Sequence, residues 1–229
     1  ASAHRSRMLL AVSEATRIDL LRYYGLREDR IQLVPHGVEE RFFQIGSDRR
    51  THAPGAFLLA VSTLHPHKNL DRLVRVFARF RQRRPEFHLV IAGMRGFFTA
   101  ELESLIADLG LEDAIQLTGW LPREELADLY LRAWAYVNPT LFEGFGMPVL
   151  EALAAGIPSA CSSIEPLKSV AGDAALLFDP ADEDEMLAAI ERVASDEALR
   201  AHLAEAGPRR AGQFSWRKAA EATLELLAR

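Results

Sequence analysis

The fold is decided by the stretch Asn138-Pro139-Thr140-Leu141-Phe142-Glu143-Gly144-Phe145-Gly146-Met147-Pro148-Val149-Leu150-Glu151-Ala152. The apolar run at residues 135–137 that precedes it predicts a buried strand. Pro148 suits the first turn of a helix, and Val149, Leu150 and Leu153 would form the apolar side of that helix. The stretch therefore predicts a strand, a turn that contains two glycines, and a helix.

The turn carries groups that suit a ligand with both phosphates and hydroxyls. Gly144 and Gly146 would let backbone N–H groups approach the ligand closely, and a helix start favours anions. Glu143 in the turn and Glu151 on the second helical turn could accept hydrogen bonds from hydroxyls. A nucleotide sugar has both kinds of group, so the turn predicts a nucleotide-sugar site.

From residue 56 onward, apolar segments alternate with amphipathic ones. We predict strands at residues 57–61, 87–92, 114–118, 135–137, 158–161 and 174–178. We predict helices from residue 70, after Glu143, and near 99–109, 123–132, 183–194, 197–206 and 215–228. This alternation predicts an α/β fold, a Rossmann-like parallel sheet with helices on both faces and ligands at the carboxyl ends of its strands.

The first 55 residues follow a different pattern. Residues 8–12 and 31–34 predict two short strands, the first of them buried. Between them, Ser13 or Thr16 would cap a helix that stops at Gly25. Residues 44–55, which contain Gly, Ser, Pro and several charges, predict a flexible surface segment.

The composition argues against several classes of function. The chain has 229 residues and a net charge of −5, which disfavours general nucleic-acid binding. The single cysteine, Cys161, rules out an internal disulfide framework and suits a reducing cytoplasm, where we expect a buried, inert thiol. No apolar run approaches the ~18 residues of a membrane span. No signal peptide is evident, and a start at Ala1 indicates an excised fragment.

The stretch around Glu143 and Glu151 resembles the Glu-x7-Glu motif of retaining glycosyltransferases of family four, which have the GT-B fold. Residues 154–159 and 170–180 continue the same family pattern. In that family the motif lies in the C-terminal, donor-binding domain. The resemblance implies that residues 1–45 are the end of the N-terminal domain and the interdomain linker. Residues 46–229 would then be the C-terminal nucleotide-sugar-binding domain.

The resemblance also implies roles for individual side chains. Glu143 would bind the sugar hydroxyls at C3 and C4 and help to place the anomeric carbon, and Glu151 would bind the ribose. Lys68, placed at a helix start where a cation opposes the dipole, would bind the donor diphosphate. His67 stands where relatives commonly carry an arginine. The alternative for Lys68 is a solvated surface lysine. The alternative for Glu143 is a loop carboxylate that binds local N–H groups, and for Glu151 it is a glutamate favoured by the helix dipole.

Other strand ends carry further candidate contacts to the donor. In the family, the loop that begins at Gly93 lies beside the nucleotide, and the segment Gly119-Trp120 holds the base through backbone contacts. Ordinary strand-to-helix turns are the alternative at both places, and for the Trp120 side chain we favour core packing. In the turn itself, Phe145 is expected to be exposed. The candidate donor contacts there are Gly144, Phe145 and Gly146.

We predict no metal requirement. The Asp-x-Asp pattern within residues 182–185 resembles the metal motif of some glycosyltransferases, but acidic residues at a helix start are stabilising and we favour capping. No His/Cys cluster has metal-ligand spacing.

A stripe of arginines at helical spacing predicts a solvated face, with attraction to an anionic membrane surface as the alternative. Its members are Arg72, Arg75, Arg79 and Arg83.

We therefore predict the donor-site part of an enzyme that moves a hexose from a nucleoside diphosphate to an acceptor hydroxyl with retention at the anomeric carbon. Residues 142–151 resemble mannosyl- and glucosyl-transferring members, which implies GDP-mannose as the donor and no cofactor. The glycan or lipid-linked acceptor would bind a mostly missing N-terminal domain, so we expect weak donor binding and little transfer by this chain alone. The implied location is the cytoplasm, or the inner membrane face as a peripheral protein.

Two other classes stay open. One is a non-catalytic Rossmann-like module that binds a nucleotide sugar; loss of Lys68 or Glu143 would favour it, and both are present. The other is a different nucleotide-sugar enzyme of GT-B architecture, such as an epimerase, although those enzymes lack the Glu-Gly-Phe-Gly-x-Pro run. A classical NAD-binding domain is disfavoured because no Gly-x-Gly-x-x-Gly follows the strand at residues 57–61.

Overall fold

The computed structural model describes residues 2–228. The chain begins with a small N-terminal unit of two helices and two parallel strands: α1 (Ser2–Arg5), β1 (Leu9–Ala11), α2 (Glu14–Tyr24) and β2 (Ile31–Leu33). As predicted, Ser13 caps α2 and Gly25 ends it in the left-handed conformation. The unit has a small core of its own around Ala11, Leu26 and Ile31. The expectation that the first strand is buried was wrong for Leu10, which is exposed because this two-stranded sheet is covered on one side only.

The larger part of the chain is built on a six-stranded parallel sheet, as the alternation predicted. Its strands lie in the order β5-β4-β3-β6-β7-β8, and every pair is parallel. Each predicted strand is present within one or two residues of its expected bounds. The strands are β3 (Phe57–Val61), β4 (His88–Ala92), β5 (Ile115–Gly119), β6 (Ala135–Asn138), β7 (Ser159–Ser162) and β8 (Leu176–Phe178).

Helices cover both faces of the large sheet. They are α3 (Glu40–Asp48), α4 (Leu70–Arg83), α5 (Thr99–Asp108), α6 (Arg123–Arg132), α7 (Met147–Ala154), α8 (Leu167–Ala171), α9 (Glu183–Ser195), α10 (Glu197–Ala211) and α11 (Trp216–Leu227). Alternate residues of β3 enter two separate cores: Leu58 joins the core beneath α4, α5 and α9, whereas Leu59 joins the core beneath α3, α6, α7 and α8. The predicted fold class, an α/β fold with a doubly covered Rossmann-like sheet, is confirmed.

The predicted flexible segment at residues 44–55 was wrong in its first part. Residues up to 48 belong to α3, whose Phe42 and Ile45 are buried against the large sheet. Arg49 follows the helix and donates to three backbone carbonyls at the end of α6, with Tyr130, Leu131 and Ala133 as acceptors. Tertiary contacts therefore fix a segment whose composition alone is typical of a loop. The boundary that we predict between residues 45 and 46 falls inside this helix.

Within residues 2–228, no helix is both long and apolar enough to cross a membrane.

Candidate functional site

The candidate site lies at the carboxyl edge of the large sheet, where β3 and β6 are neighbours. This is the point at which the strand order reverses, because the chain proceeds from β3 to β4 on one side and returns to β6 on the other. In open α/β sheets, ligands bind at such a switch point. Lys68 follows β3 and Glu143 follows β6, and Lys68 Nζ donates to Glu143 Oε2 at 2.7 Å. The two side chains are only 15% and 19% exposed, so the pair is partly shielded from water.

The loops that carry Lys68 and Glu143 are joined to each other. The carbonyl oxygen of His67 accepts the backbone N–H of Leu141 at 2.8 Å and faces the hydroxyl of Thr140 at 3.1 Å. Lys68 is the last residue of a 3-10 helix, Pro66–Lys68, rather than part of the first turn of α4 as the sequence predicted. The ammonium group is therefore placed by this cross-linked loop and not by α4.

Asn69 supports the site, and the sequence reasoning missed it. Its side-chain Nδ2 donates to the carbonyl oxygens of Pro139 at 3.0 Å and of Pro180 at 2.9 Å, so one buried amide joins the loops after β3, β6 and β8. Its backbone is left-handed, with φ at 57°, a conformation that asparagine tolerates better than most residues. An asparagine directly before a helix was the only signal, and that pattern indicates an ordinary cap.

The loop between β6 and α7, residues 139–146, is hereafter the donor loop. It presents backbone N–H groups at the start of α7. Gly146 precedes this helix with φ at 101°, and a Cβ there would lie 2.4 Å from Leu167 Cδ2, so only glycine fits. Within the described part of the chain, the N–H groups of Phe145, Gly146 and Met147 meet no hydrogen-bond acceptor. Among the described residues, these three N–H groups are therefore unpaired at a helix start, a position that favours anions.

Gly144 has a different role from the one that the sequence implied. Its backbone conformation is not left-handed, and a Cβ would meet no atom within 4 Å. Its N–H donates to the side-chain Oε1 of Glu143 at 3.3 Å, which is the local contact that the ordinary reading of this glutamate predicted. Its carbonyl oxygen accepts from the N-terminal unit, where Ser13 Oγ lies at 2.7 Å and Thr16 Oγ1 at 3.2 Å.

Glu151 lies on the second turn of α7, as predicted, and its side chain is partly buried. The hydroxyl of Tyr130 donates to Glu151 Oε2 at 2.8 Å. Burial raises the pKa of Glu151 from 4.5 to about 7, against the opposing effects of the Tyr130 hydrogen bond and of Arg41. The carboxyl group therefore changes its charge near neutral pH. Tyr130 itself is buried, and nothing in the sequence pattern pointed to it.

His67 lies at the rim of the site. Its ring stacks on that of His65, with centroids 5.8 Å apart, and His65 in turn contacts the ring of Phe97 at 5.5 Å. Desolvation, helped by the positive charge of Lys68, lowers the pKa of His67. With its pKa lowered, the His67 imidazole is neutral at pH 7 and adds no second cation beside Lys68.

Gly93 and Gly119 end two neighbouring strands and contact each other. The N–H of Gly93 donates to the carbonyl oxygen of Gly119 at 3.1 Å. Both have positive φ, 148° at Gly93 and 71° at Gly119, and a Cβ on Gly93 would lie 2.1 Å from the carbonyl oxygen of Ser62. These glycines are required by the backbone, and they place the β4 and β5 ends beside the loop that leads to Lys68.

Two aromatic expectations are corrected. Trp120 is 70% exposed at the end of β5, so the preference for core packing was wrong and the indole is free to contact a ligand. Phe145, expected to be exposed, is only 5% exposed because its ring packs between His36 and Phe214, with centroid distances of 5.1 and 5.9 Å. Phe142 is 61% exposed in the same loop.

The acidic run at residues 182–185 acts as a helix cap, as preferred from the sequence. Asp182 Oδ1 accepts the N–H groups of Asp184 and Glu185 at the start of α9. Among the described residues, no group of three or more His, Cys, Asp or Glu side chains is arranged to hold a metal.

The arginine stripe on α4 faces the acidic helix α9: Arg79 pairs with Asp184, and Arg83 pairs with Glu191. Much of its charge is therefore balanced within the protein.

A comparison with known families identifies the family of the chain. Residues 47–210 match the model of the family described as glycosyl transferases group 1. The chain belongs to the group 1 glycosyltransferases. The matched range contains both loops of the Lys68–Glu143 pair and all of α7.

Curated group 1 relatives match nearly the whole chain. O-antigen chain mannosyltransferase B of Escherichia coli is 30% identical over 97% of this chain and 61% of the relative. MMP α-(1→4)-mannosyltransferase of Mycolicibacterium hassiacum is 32% identical over 94% of this chain and 52% of the relative. D-inositol 3-phosphate glycosyltransferase of Acidothermus cellulolyticus is 34% identical over 90% of this chain and 49% of the relative. The chain thus spans about half to three-fifths of the length of these relatives.

Solved glycosyltransferase structures share the fold. HepE of Anabaena, in complex with UDP and glucose, superposes with a TM-score of 0.84 at 20% identity, over 97% of this chain and 63% of that chain. Sucrose-phosphate synthase of Thermosynechococcus elongatus gives a TM-score of 0.80 at 24% identity, over 96% of this chain and 57% of that chain. The parallel sheet and its helices therefore have the architecture of the GT-B glycosyltransferases.

Proposed function

We propose that this chain supplies the nucleotide-sugar site of a retaining hexosyltransferase, with mannose as the transferred sugar and GDP-mannose as the donor. The proposal is carried by the Lys68–Glu143 pair at the switch point of a group 1 glycosyltransferase sheet. One cation and one carboxylate meet there beside three free N–H groups. A donor offers a diphosphate to the cation and the N–H groups, and sugar hydroxyls to the carboxylate.

The proposed chemistry is stabilisation of separating charges. As the glycosidic bond breaks, negative charge develops on the diphosphate and positive charge on the sugar ring. Lys68 and the N–H groups of Phe145, Gly146 and Met147 stabilise the diphosphate, and their fixed positions avoid reorganisation during the reaction. Glu143 accepts from the sugar hydroxyls and orients the ring, so that the acceptor oxygen bonds to the anomeric carbon from the face that the diphosphate leaves. The proton of the acceptor hydroxyl passes to the departing diphosphate. In this proposal no metal ion takes part.

Glu151 is the proposed ribose contact. Tyr130 occupies one carboxyl oxygen, Oε2, and fixes the orientation of the group. The other oxygen remains for ribose hydroxyls. The backbone around Gly93 and Gly119 and the exposed indole of Trp120 lie at the ends of β4 and β5, where the base would be held. His67 lies at the rim, next to the diphosphate end.

Two features of the relatives support the finer parts of the proposal. Several of the most similar curated proteins are named mannosyltransferases, which favours mannose. Because the chain spans only about half to three-fifths of their length, we propose that a glycan or lipid-linked acceptor binds outside residues 46–229. A lipid-linked acceptor would bring the reaction to the inner face of the membrane.

Titration calorimetry of this chain with GDP, UDP and ADP, followed by the matching mannose and glucose conjugates, tests the proposal. We expect one nucleotide to bind, and Lys68→Ala and Glu151→Ala to weaken its affinity by about tenfold or more, since each removes a proposed hydrogen-bond partner of the nucleotide. A further gain in affinity from one sugar, lost in Glu143→Ala, would name the donor.

Lys218→Ala is the matched control for Lys68→Ala, because Lys218 is an exposed lysine on α11. It should leave nucleotide affinity unchanged. If Lys68→Ala and Lys218→Ala have equal effects, Lys68 does not contact the diphosphate. If no nucleotide binds to the chain or to a version extended with a complete N-terminal domain, the donor-site proposal is wrong.

A further inference from the structure

The carbonyl group of Gly144 is held by the N-terminal unit. Ser13 Oγ donates to this oxygen at 2.7 Å, and Thr16 Oγ1 lies 3.2 Å from the same atom. The contacts join residues that are 131 and 128 positions apart in the chain. Ser13 is buried, and its oxygen also accepts the backbone N–H of Thr16 at 3.1 Å, so the residue that caps α2 is the residue that contacts the donor loop.

These contacts fix the direction of an N–H group in the candidate site. In a trans peptide the C=O of one residue and the N–H of the next point in opposite directions. Holding the Gly144 carbonyl against α2 therefore directs the Phe145 N–H away from α2, and this N–H has no acceptor within residues 2–228. Gly144 lacks a side chain and meets no neighbour at its Cβ position, so its peptide would otherwise rotate easily.

We propose that Ser13 and Thr16 are positioning residues for the donor loop: their hydroxyls orient the Gly144–Phe145 peptide so that the Phe145 N–H faces the diphosphate of the donor. The inference rests on the proposed function, because it assigns a diphosphate to this N–H. It adds a second part of the protein to the site. The N-terminal unit, which has its own small sheet and core, controls the geometry of the donor loop through two hydroxyl groups.

A pair of double variants separates the hydroxyls from other effects. Ser13→Ala with Thr16→Val removes both hydroxyls, whereas Ser13→Thr with Thr16→Ser exchanges one methyl group between the two positions and keeps both. The readouts are the carbonyl ¹³C resonance of Gly144, which reports a hydrogen bond to its oxygen, and nucleoside diphosphate affinity from calorimetry. We expect the first double variant to shift the resonance and to weaken GDP or UDP binding by about tenfold. The second should stay near the wild type in both.

Loss of a helix cap needs its own control. Asp196→Ala removes the N-cap of α10, where Asp196 Oδ1 accepts the Leu199 N–H at 3.0 Å, and it should change neither readout. If the double variant does not fold, Thr16→Val alone keeps the Ser13 cap of α2 and should still weaken nucleotide binding by about threefold.

The outcomes are distinct. An unchanged Gly144 resonance, or a shifted resonance with unchanged nucleotide affinity, overturns the positioning role. If the wild type binds a nucleoside diphosphate and the variant without the two hydroxyls binds it equally tightly, this inference alone is overturned. Failure of the wild-type chain and of its extended version to bind any nucleoside diphosphate overturns the proposed function, and this inference with it.

Discussion

The ammonium group of Lys68 and the carboxylate of Glu143 neutralise each other across the switch point, with 2.7 Å between Nζ and Oε2. A donor would therefore compete with Glu143 for the ammonium group and with Lys68 for the carboxylate. A diphosphate that reaches Lys68 must share the ammonium with Glu143 and tolerate its negative charge.

This relationship leads to an unusual expectation for Glu143→Gln. The variant replaces the ion pair with a weaker hydrogen bond from Lys68 to an amide oxygen and removes a negative charge, so it should bind the bare nucleoside diphosphate about threefold to tenfold more tightly at low salt, while it loses the extra affinity that the hexose provides. Calorimetry with the diphosphate and its sugar conjugate measures both effects. The gain should disappear when Lys68→Ala is added. Weaker binding of the bare diphosphate would mean that Glu143 is needed to hold Lys68 in place.

Glu151 should make stability depend on pH. Its folded-state pKa of about 7 lies above the value of 4.5 expected without burial, so its neutral form contributes stability that is fully present below about pH 4.5 and is lost as the pH rises through 7. At pH 8 the ionised group costs up to about 3 kcal/mol relative to a neutral one. Glu151→Gln keeps an acceptor for Tyr130 without the charge. We expect it to unfold at a higher temperature than the wild type at pH 8 and at a similar one at pH 5.

Glu197→Gln is the control for this effect, because Glu197 is exposed on α10. Thermal unfolding from pH 5 to pH 8 should show the same profile for this variant as for the wild type. A Glu151→Gln variant whose profile also parallels the wild type would show that Glu151 is ionised throughout this range.

Gly146→Ala should be more harmful than an ordinary substitution at positive φ. Gly110 provides the comparison, since it has φ at 62° but no atom within 4 Å of its Cβ position. Gly110→Ala should lower the free energy of unfolding by about 1–2 kcal/mol through backbone strain alone. Gly146→Ala adds contact with Leu167 and should cost about 1–3 kcal/mol more. Urea unfolding measures both, and equal losses would mean that Leu167 moves aside freely.

Asn69 can be tested with two substitutions that separate its amide from its backbone conformation. Asn69→Gly keeps the left-handed backbone but leaves the carbonyl oxygens of Pro139 and Pro180 without this donor, so we expect a loss of about 2–4 kcal/mol. Asn69→Ala should lose about 1 kcal/mol more because of strain. Unfolding in urea gives these values. If Asn69→Gly is as stable as the wild type, the amide does not hold the three loops together.

The sequence predicted most of the large sheet because its strands are short apolar runs separated by amphipathic helices. Local patterning also narrowed the cap of α2 to Ser13 or Thr16, and it placed the end of α2 at Gly25 and the helix after the donor loop. It failed where tertiary contacts decide. The α3 segment is polar enough to resemble a loop, and only its packing against α6 and α7 makes Phe42 and Ile45 core residues.

The candidate site was predictable in its charged residues and not in its supporting contacts. Lys68, Glu143 and Glu151 stand out because charges beside glycines at strand ends are typical of ligand sites. The supports come from distant parts of the chain: Ser13 reaches Gly144, and Asn69 reaches Pro180. No spacing rule links such pairs. Burial of Phe145 and exposure of Trp120 likewise depend on which neighbours the fold brings near, and an aromatic residue in a turn is compatible with either state.

The position of Cys161 gives the protein an internal reporter. The thiol is fully buried in β7, between β6 and β8, and burial raises its pKa to about 12. The thiolate is the form of cysteine that attacks thiol reagents, so the native protein should be inert toward them at neutral pH. Because this is the single cysteine of the chain, any labelling that occurs would measure how often the sheet opens at β7. Nucleotide binding that stabilises the sheet would then appear as slower labelling, read directly by mass without any engineered probe.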